Sequence, residues 1–170
     1  MLERETIVTL GSINRHFYTD HAEDFNDTRR HPWHGWQPIL EKSRFPGTSV
    51  LDVGCGNGRF LRALAKSELE LREYVGIDTS ISLLSETTNV AKESDLKRVV
   101  LYPIDLSLDS LDLLPAGPFE LIVAFGILHH IPSRGRRMDL LNALQRLLSP
   151  KGLLAISIWN FATRSRFSKH

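Results

Sequence analysis

The stretch that decides the fold is Ser49-Val-Leu-Asp-Val-Gly-Cys-Gly-Asn-Gly58, an apolar run that enters a loop with glycine at every second position. The apolar run is typical of a buried strand, and residues 59–66 continue as a helix. The predicted inner face of that helix consists of Phe60, Leu61 and Leu64. Glycines between a strand and a helix permit positive φ angles and allow the backbone to come close to a ligand. We therefore expect this loop to bind a small molecule.

The spacing of the glycines narrows the choice of ligand. Gly54, Gly56 and Gly58 follow the pattern G-x-G-x-G, and Asp52 stands two residues before the first of them. A dinucleotide loop has the spacing G-x-G-x-x-G, and its pyrophosphate favours helix amides without a neighbouring carboxylate. The acid therefore favours a ligand with positive charge over a nucleotide phosphate. A purely structural glycine turn is the remaining alternative.

Further strands and helices alternate on both sides of this loop. Strands are predicted at residues 74–78, 99–104, 120–125 and 153–158. Helices are predicted at residues 6–27, 36–42, 81–93 and 134–148. Ser80 can cap the third of these helices, and the inner faces of the first and last are expected to include Ile13 and Met138. The alternation predicts an α/β fold with a doubly wound, mostly parallel sheet between two layers of helices, and Pro103 predicts that the third strand lies at an edge.

Two acidic residues end predicted strands, where ligands bind in such folds. Asp78 ends the second strand and can accept hydrogen bonds from ribose hydroxyls, or it can be a helix acid that stabilises the following dipole. Asp105 follows the third strand and is placed to accept from an adenine amino group, with Leu106 against the ring. A plain loop acid is the alternative for Asp105.

Together these features resemble the class I S-adenosylmethionine (SAM) dependent methyltransferases over residues 48–160. The resemblance implies a Rossmann-like sheet with strand order 3-2-1-4-5, SAM as cofactor and S-adenosylhomocysteine as product. It also implies cofactor-binding roles for ten residues. These are Asp52, Gly54, Cys55, Gly56, Asp78, Thr79, Asp105, Leu106, Phe125 and Gly126.

A finer resemblance rests on the N-terminal region and on two later segments. Tyr18, Arg29, Trp33, the segment 128–137 and Ile158-Trp159 look like the tRNA wobble-uridine carboxymethyl methyltransferases. That family esterifies the carboxylate of 5-carboxymethyluridine in tRNA. A small-molecule methyltransferase and a non-catalytic SAM-binding subunit are the alternatives, so the acceptor is expected to be tRNA or a small molecule.

The finer resemblance implies catalytic roles for three residues. Arg29 is expected to hold the carboxylate of the acceptor or of SAM, with a surface ion pair as the alternative. Tyr18 and Trp33 are expected in a lid over the cofactor, with a packing role as the alternative. His129 is expected in the wall of the acceptor pocket. We expect no metal at His129 and His130, because adjacent loop residues rarely bind one ion together. Arg136 and Arg137 are expected to contact RNA.

Length and composition indicate the compartment, the domain organisation and the completeness of the sheet. The chain has 170 residues, a net charge of +1, one cysteine and no apolar run of membrane-spanning length. We expect a cytoplasmic protein with an N-terminal helical lid or substrate segment at 1–46, a SAM-binding core at 47–160 and a basic tail at 161–170. The tail is too short for strands 6 and 7 of the usual sheet. A longer parent protein, a homodimer or another subunit is expected to complete the sheet at the fifth strand, and an activator subunit could bind at the third.

Overall fold

The computed structural model describes residues 4–20, 33–43, 45–94 and 96–159. Five parallel strands form one sheet: β1 (Thr48–Val53), β2 (Leu71–Asp78), β3 (Val99–Pro103), β4 (Phe119–Phe125) and β5 (Leu148–Ser157). Their order is β3-β2-β1-β4-β5. The predicted fold class and strand order are confirmed, and Pro103 ends an edge strand as expected.

Within the described ranges, five α-helices accompany the sheet: α1 (Arg4–Asp20), α2 (Gln37–Lys42), α3 (Arg59–Ala65), α4 (Ile81–Lys92) and α5 (Arg134–Leu147). The Ser80 hydroxyl accepts a hydrogen bond from the Leu83 N–H at 3.4 Å and so caps α4 as predicted. The predicted continuation of the first helix beyond residue 20 lies outside the described residues. None of the described helices is long and apolar enough to span a membrane.

The sheet separates two apolar layers. All six residues of β1 are buried, because helices or loops cover this central strand on both faces. Val50 packs on one side with α3 and α4, and Leu51 packs on the other side with α5 and the segment after β3. Full burial on both faces explains why the apolar run before the glycine loop shows no alternation with polar residues.

Two predicted inner positions are wrong. Ile13 of α1 is 60% exposed and Met138 of α5 is 49% exposed. The buried residues of α5 are Leu140, Ala143 and Leu144. A stripe through residues 138, 141 and 144 and one through residues 140, 143 and 144 are both apolar at helical spacing. The sheet selects the second stripe by packing against it, and spacing alone does not distinguish the two.

The crossover pattern places a crevice at one end of the sheet. From β1 the chain proceeds outward to β2 and β3, and then returns to the other side for β4 and β5. The loops after β1 and β4 therefore diverge to opposite faces, which opens a cleft beyond the carboxyl ends of these two strands. The glycine loop lies at this point.

Candidate active site

A cavity of about 730 Å³ occupies the crevice at the carboxyl ends of the strands. It is lined by all ten residues predicted to bind the cofactor: Asp52, Gly54, Cys55, Gly56, Asp78, Thr79, Asp105, Leu106, Phe125 and Gly126. The structure thus brings together residues from the carboxyl ends of four strands that are distant in sequence. Their individual roles stay predictions.

The glycine loop is held by backbone hydrogen bonds to β2. The N–H groups of Gly54 and Cys55 both donate to the carbonyl of Ile77, at 2.8 and 2.9 Å. Gly54 has a φ of 81°, and a Cβ there would lie 3.0 Å from the Cβ of Ile127. A side chain at this position would meet the loop after β4, so glycine is required for the close approach of the two loops.

Replacement of Gly58 by alanine is expected to destabilise the fold. Gly58 has a φ of 74°, and its Cβ would lie 3.1 Å from the backbone Cα of Thr87 in α4. Left-handed strain and this contact together should lower the free energy of unfolding by about 1–3 kcal/mol, as measured by urea denaturation. Gly135→Ala in α5 is the control, since its nearest contact is an ordinary 3.7 Å to Ser133 and alanine favours a helix. Equal effects of the two changes would contradict the role assigned to Gly58.

Asp78 joins the glycine loop to the start of α4. Its carboxylate accepts hydrogen bonds from the N–H groups of Gly56 and Ser80, both at 2.9 Å. Burial raises the pKa of Asp78, and these backbone hydrogen bonds act in the opposite direction. A carboxylate has about four acceptor positions, so it retains capacity for ligand hydroxyls in the cavity that it lines.

Asp52 lies beneath the glycine loop and is only 2% exposed. The Tyr74 hydroxyl donates to its carboxyl group at 2.7 Å. Burial raises the pKa of Asp52 to about 7, the hydrogen bond from Tyr74 opposes this, and the nearby Asp78 raises it further. A cationic group in the cavity would favour the ionised form, so this site suits a positively charged ligand.

The segment after β3 forms a tight turn around Asp105. The side chain of Asp105 accepts from the Ser107 N–H at 2.9 Å, and its own N–H donates to the Asp109 carboxylate at 2.8 Å. Leu106 is buried in the layer between the sheet and α5. The turn therefore presents a hydrogen-bond acceptor, the Asp105 carboxylate, and an apolar side chain, that of Leu106, to the same cavity.

Part of the cavity wall is aromatic. Trp33 and Trp159 line it, and they are 47% and 49% exposed. The ring of Phe125 lies 6.1 Å from that of Trp33 and 5.9 Å from that of Trp36. Two half-exposed indoles at a cavity wall provide surfaces on which a flat ring can stack.

The two adjacent histidines differ in their position relative to the cavity, and the predicted acceptor-pocket role of His129 stays a prediction. His130 lines the cavity, whereas His129 is exposed, is not among the lining residues and has its ring 5.2 Å from that of Trp159. The two histidines belong to a short 3-10 helix, Leu128–His130, in which consecutive side chains are about 120° apart. Their different orientation follows from this turn. The described residues contain no group of three metal-binding side chains.

Sequence reasoning missed the contribution of α1. Gly11 and Asn14 line the cavity, and the Asn14 amide donates to the His130 carbonyl at 3.4 Å. The only sequence signal was a glycine inside a predicted helix. Tyr18 lies on α1, but its side chain is outside the described residues, as is Arg29. Their predicted catalytic roles stay predictions.

Arg136 and Arg137 both contact backbone of neighbouring segments. Each side chain donates hydrogen bonds to backbone carbonyls of a neighbouring loop, namely those of Leu106 and Asp109 for Arg136 and those of Ile131 and Pro132 for Arg137. Each guanidinium keeps further N–H donors, and the predicted RNA contact stays a prediction.

Comparison with known proteins identifies the class. Residues 51–154 match the family model described as "Methyltransferase domain", and the chain belongs to this family. Membership confirms the predicted class of methyltransferase, and SAM is the cofactor of the domain.

Three relatives of the chain share less than a third of their aligned residues with it. The chain is 26% identical over 152 residues to "Putative methyltransferase ECU09_1500" of Encephalitozoon cuniculi (strain GB-M1), covering 88% of this chain and 63% of that protein. It is 28% identical over 142 residues to "tRNA (carboxymethyluridine(34)-5-O)-methyltransferase ALKBH8" of Mus musculus, covering 84% of this chain and 19% of the relative. It is 30% identical over 114 residues to "Ubiquinone biosynthesis O-methyltransferase" of Psychrobacter arcticus (strain DSM 17307 / VKM B-2377 / 273-4), covering 67% and 42%. The chain therefore spans less than two thirds of the length of these relatives.

Solved structures share the fold. The N-methyltransferase NodS from Bradyrhizobium japonicum WM9 superposes with a TM-score of 0.62 at 21% identity, covering 79% of this chain and 70% of that chain. A SAM-dependent methyltransferase from Geobacter sulfurreducens, solved with S-adenosyl-L-homocysteine, gives a TM-score of 0.55 at 24% identity, covering 70% and 45%.

The cavity of this chain fits SAM in its own right. Two carboxyl groups line the cavity, those of the buried Asp52 and the half-buried Asp78, and they suit a ligand that carries an ammonium and ribose hydroxyls. Gly54 and Gly56 line the cavity with backbone and no side chain. Asp105 and Leu106 present an acceptor and an apolar surface for the adenine ring.

Proposed function

We propose that this protein transfers a methyl group from SAM to the carboxylate of a 5-carboxymethyluridine-type wobble uridine in tRNA. The observation that carries the proposal is the 142-residue similarity to the tRNA methyltransferase ALKBH8, which is longer than the core at 51–154 matched by the family model. The aromatic wall with Trp33 and Trp159 supports it, because this wall offers stacking surfaces beside the cofactor cavity.

The reaction requires the protein mainly to position SAM and the acceptor carboxylate. When bound, SAM supplies an electrophilic methyl group on its sulfonium. An acceptor carboxylate is already ionised at pH 7, so no general base is required. The residues of the chain bind the two reactants in line and exclude water, which can account for a large part of the barrier reduction. Arg29 is proposed to hold the acceptor carboxylate through paired charged hydrogen bonds, because its planar guanidinium matches a carboxylate. Tyr18 and His129 are proposed to shape the acceptor entrance.

The proposal is tested by offering the purified protein tRNA that carries 5-carboxymethyluridine at position 34. Mass analysis of the nucleosides should show a gain of one methyl group that depends on SAM, and tRNA with unmodified uridine at that position should stay unchanged. A methyl ester is the expected product, and mild alkali should remove it. Binding of SAM without turnover of this tRNA would contradict the proposed acceptor. Turnover of a ubiquinone-biosynthesis intermediate in its place would favour an O-methyltransferase activity like that of the relative from Psychrobacter arcticus.

Loss of the half-exposed Trp159 indole should weaken binding of the acceptor more than binding of the cofactor. Trp159→Ala is expected to raise the KM for carboxymethyluridine tRNA by roughly ten- to a hundred-fold, because a base–aromatic stack contributes about 1–3 kcal/mol. Trp159→Phe, which keeps a ring, should retain most of the affinity. Steady-state kinetics give the KM and calorimetry with S-adenosylhomocysteine gives the cofactor affinity. A larger loss of cofactor affinity than of tRNA affinity would place Trp159 on the cofactor side.

A further inference from the structure

The first turn of α5 carries two adjacent arginines that reach two different loops. The Nε–H of Arg136 donates to the carbonyl of Leu106 at 2.7 Å, and its Nη2 donates to the carbonyl of Asp109. The Nη1 of Arg137 donates to the carbonyl of Ile131 and, at 3.1 Å, to that of Pro132. One helical turn therefore holds the segment after β3 and the segment after β4 at the same time.

Both held segments form walls of the cavity. The segment after β3 contributes Ile104, Asp105, Leu106 and Ser107, and the segment after β4 contributes His130 and Ile131. Arg136 binds the first segment at the residue next to Asp105, and Arg137 binds the second at the residue next to His130. A shift of either segment would thus move a different part of the site.

The placement of these cations is electrostatically unfavourable for the helix itself. The N-terminal end of a helix carries partial positive charge, which disfavours cationic side chains by about 0.3–1 kcal/mol each. The first turn of α5 contains no acid, and Ser133 caps it by accepting from the Arg136 N–H. The hydrogen bonds to the two loops are the contacts in the structure that offset this cost.

We propose that Arg136 and Arg137 are positioning residues with separate targets: Arg136 sets the cofactor loop that carries Asp105 and Leu106, and Arg137 sets the acceptor-side loop that carries His130. The second half rests on the proposed function, whereas the first half needs only SAM binding. The guanidinium fork suits the place of Arg136, because its Nε and Nη2 donate to two carbonyls that lie three residues apart. Arg137 reaches two adjacent carbonyls from Nη1 alone.

The test compares Arg136→Gln and Arg137→Gln with Arg134→Gln, which removes an exposed arginine from the same helical turn. Arg136→Gln should raise the calorimetric Kd for S-adenosylhomocysteine about ten- to a hundred-fold and leave the KM for the tRNA acceptor within about three-fold. Arg137→Gln should raise the KM for the tRNA acceptor about ten- to a hundred-fold and leave the Kd for S-adenosylhomocysteine within about three-fold. Arg134→Gln should change neither quantity. Arg136→Lys should recover part of the affinity, since one donor remains.

Hydrogen exchange supplies a readout that needs no turnover. The amides of Leu108 and Asp109 donate to the carbonyl of Asp105, at 3.1 and 2.8 Å, and should exchange faster in Arg136→Gln alone. The amide of Ile131, which donates to the carbonyl of Leu128, should exchange faster in Arg137→Gln alone. Equal effects of both variants on both loops, or a loss of thermal stability with unchanged binding and local exchange, would overturn the proposal. If wild-type protein binds S-adenosylhomocysteine but does not methylate tRNA, the proposed function fails, and exchange at Ile131 still decides the role of Arg137.

Discussion

Asp78→Ala is expected to weaken SAM binding by about 3 kcal/mol, roughly a hundred-fold in Kd. The change removes a charged acceptor for the ribose hydroxyls. It also removes the partner of the Gly56 N–H, so the glycine loop loses one of its ties to the start of α4. The first loss acts on the bound state alone, whereas the second also acts on the free protein, in which the Gly56 hydrogen bond is already formed. Isothermal calorimetry with SAM and with S-adenosylhomocysteine measures the effect.

Two variants make this result specific. Asp139→Ala removes an exposed acid from α5 and should leave the affinity unchanged. Asp78→Asn should retain only part of the affinity, because its amide group has one acceptor oxygen and presents N–H donors where backbone N–H groups must be accepted. An Asp78→Ala protein that is folded by circular dichroism and binds SAM as tightly as wild type would remove Asp78 from the cofactor site.

Asp52→Asn is expected to stabilise the protein and to weaken cofactor binding. Since the pKa of Asp52 is raised from 3.8 to about 7, the unfolded chain ionises this group at lower pH than the folded chain does. The free energy of unfolding therefore falls as pH rises from about 4 to about 7, and the folded state is disfavoured by about 4 kcal/mol above that range. Below pH 4 both states are protonated and the effect is absent.

Asparagine does not ionise, so it removes this penalty, and its amide oxygen can still accept from the Tyr74 hydroxyl. Urea unfolding should show that the gain in stability of Asp52→Asn over wild type is several kcal/mol at pH 8 and smaller at pH 5. A gain that is equal at the two pH values would contradict the raised pKa.

The ionisation of Asp52 should also make the affinity for SAM depend on pH. Between pH 5.5 and 7 the ammonium of SAM stays protonated, whereas Asp52 gains its negative charge. The affinity of wild type should rise over this interval, with release of a proton on binding, and that of Asp52→Asn should be lower and independent of pH. Calorimetry in two buffers with different ionisation enthalpies measures the released proton. A wild-type affinity that does not change with pH would separate Asp52 from the ammonium.

Asp52 and Asp78 show which properties of a site residue can be predicted from local sequence. Both acids could be recognised as ligand candidates from their positions beside a glycine loop and at a strand end. Their chemical state could not, since the raised pKa of Asp52 depends on burial beneath the loop and on Tyr74, a residue of another strand. A pKa is a property of the assembled environment, and no window of sequence contains it.

The sequence by itself determined the order of strands and helices, the glycine loop between β1 and α3, the cap at Ser80 and the acids at strand ends. These features depend on neighbours within a few residues, because periodicity, capping and glycine φ angles are local properties of the backbone.

Only the tertiary structure decided which side chains reach the cavity and what they contact there. His130 and not His129 lines it, Asn14 reaches it from α1, and Arg136 binds a loop 27 to 30 residues away. Each of these depends on how an element is rotated about its axis and which segment packs against it. That rotation is set by burial across the whole sheet, so adjacent residues such as His129 and His130 acquire different surroundings.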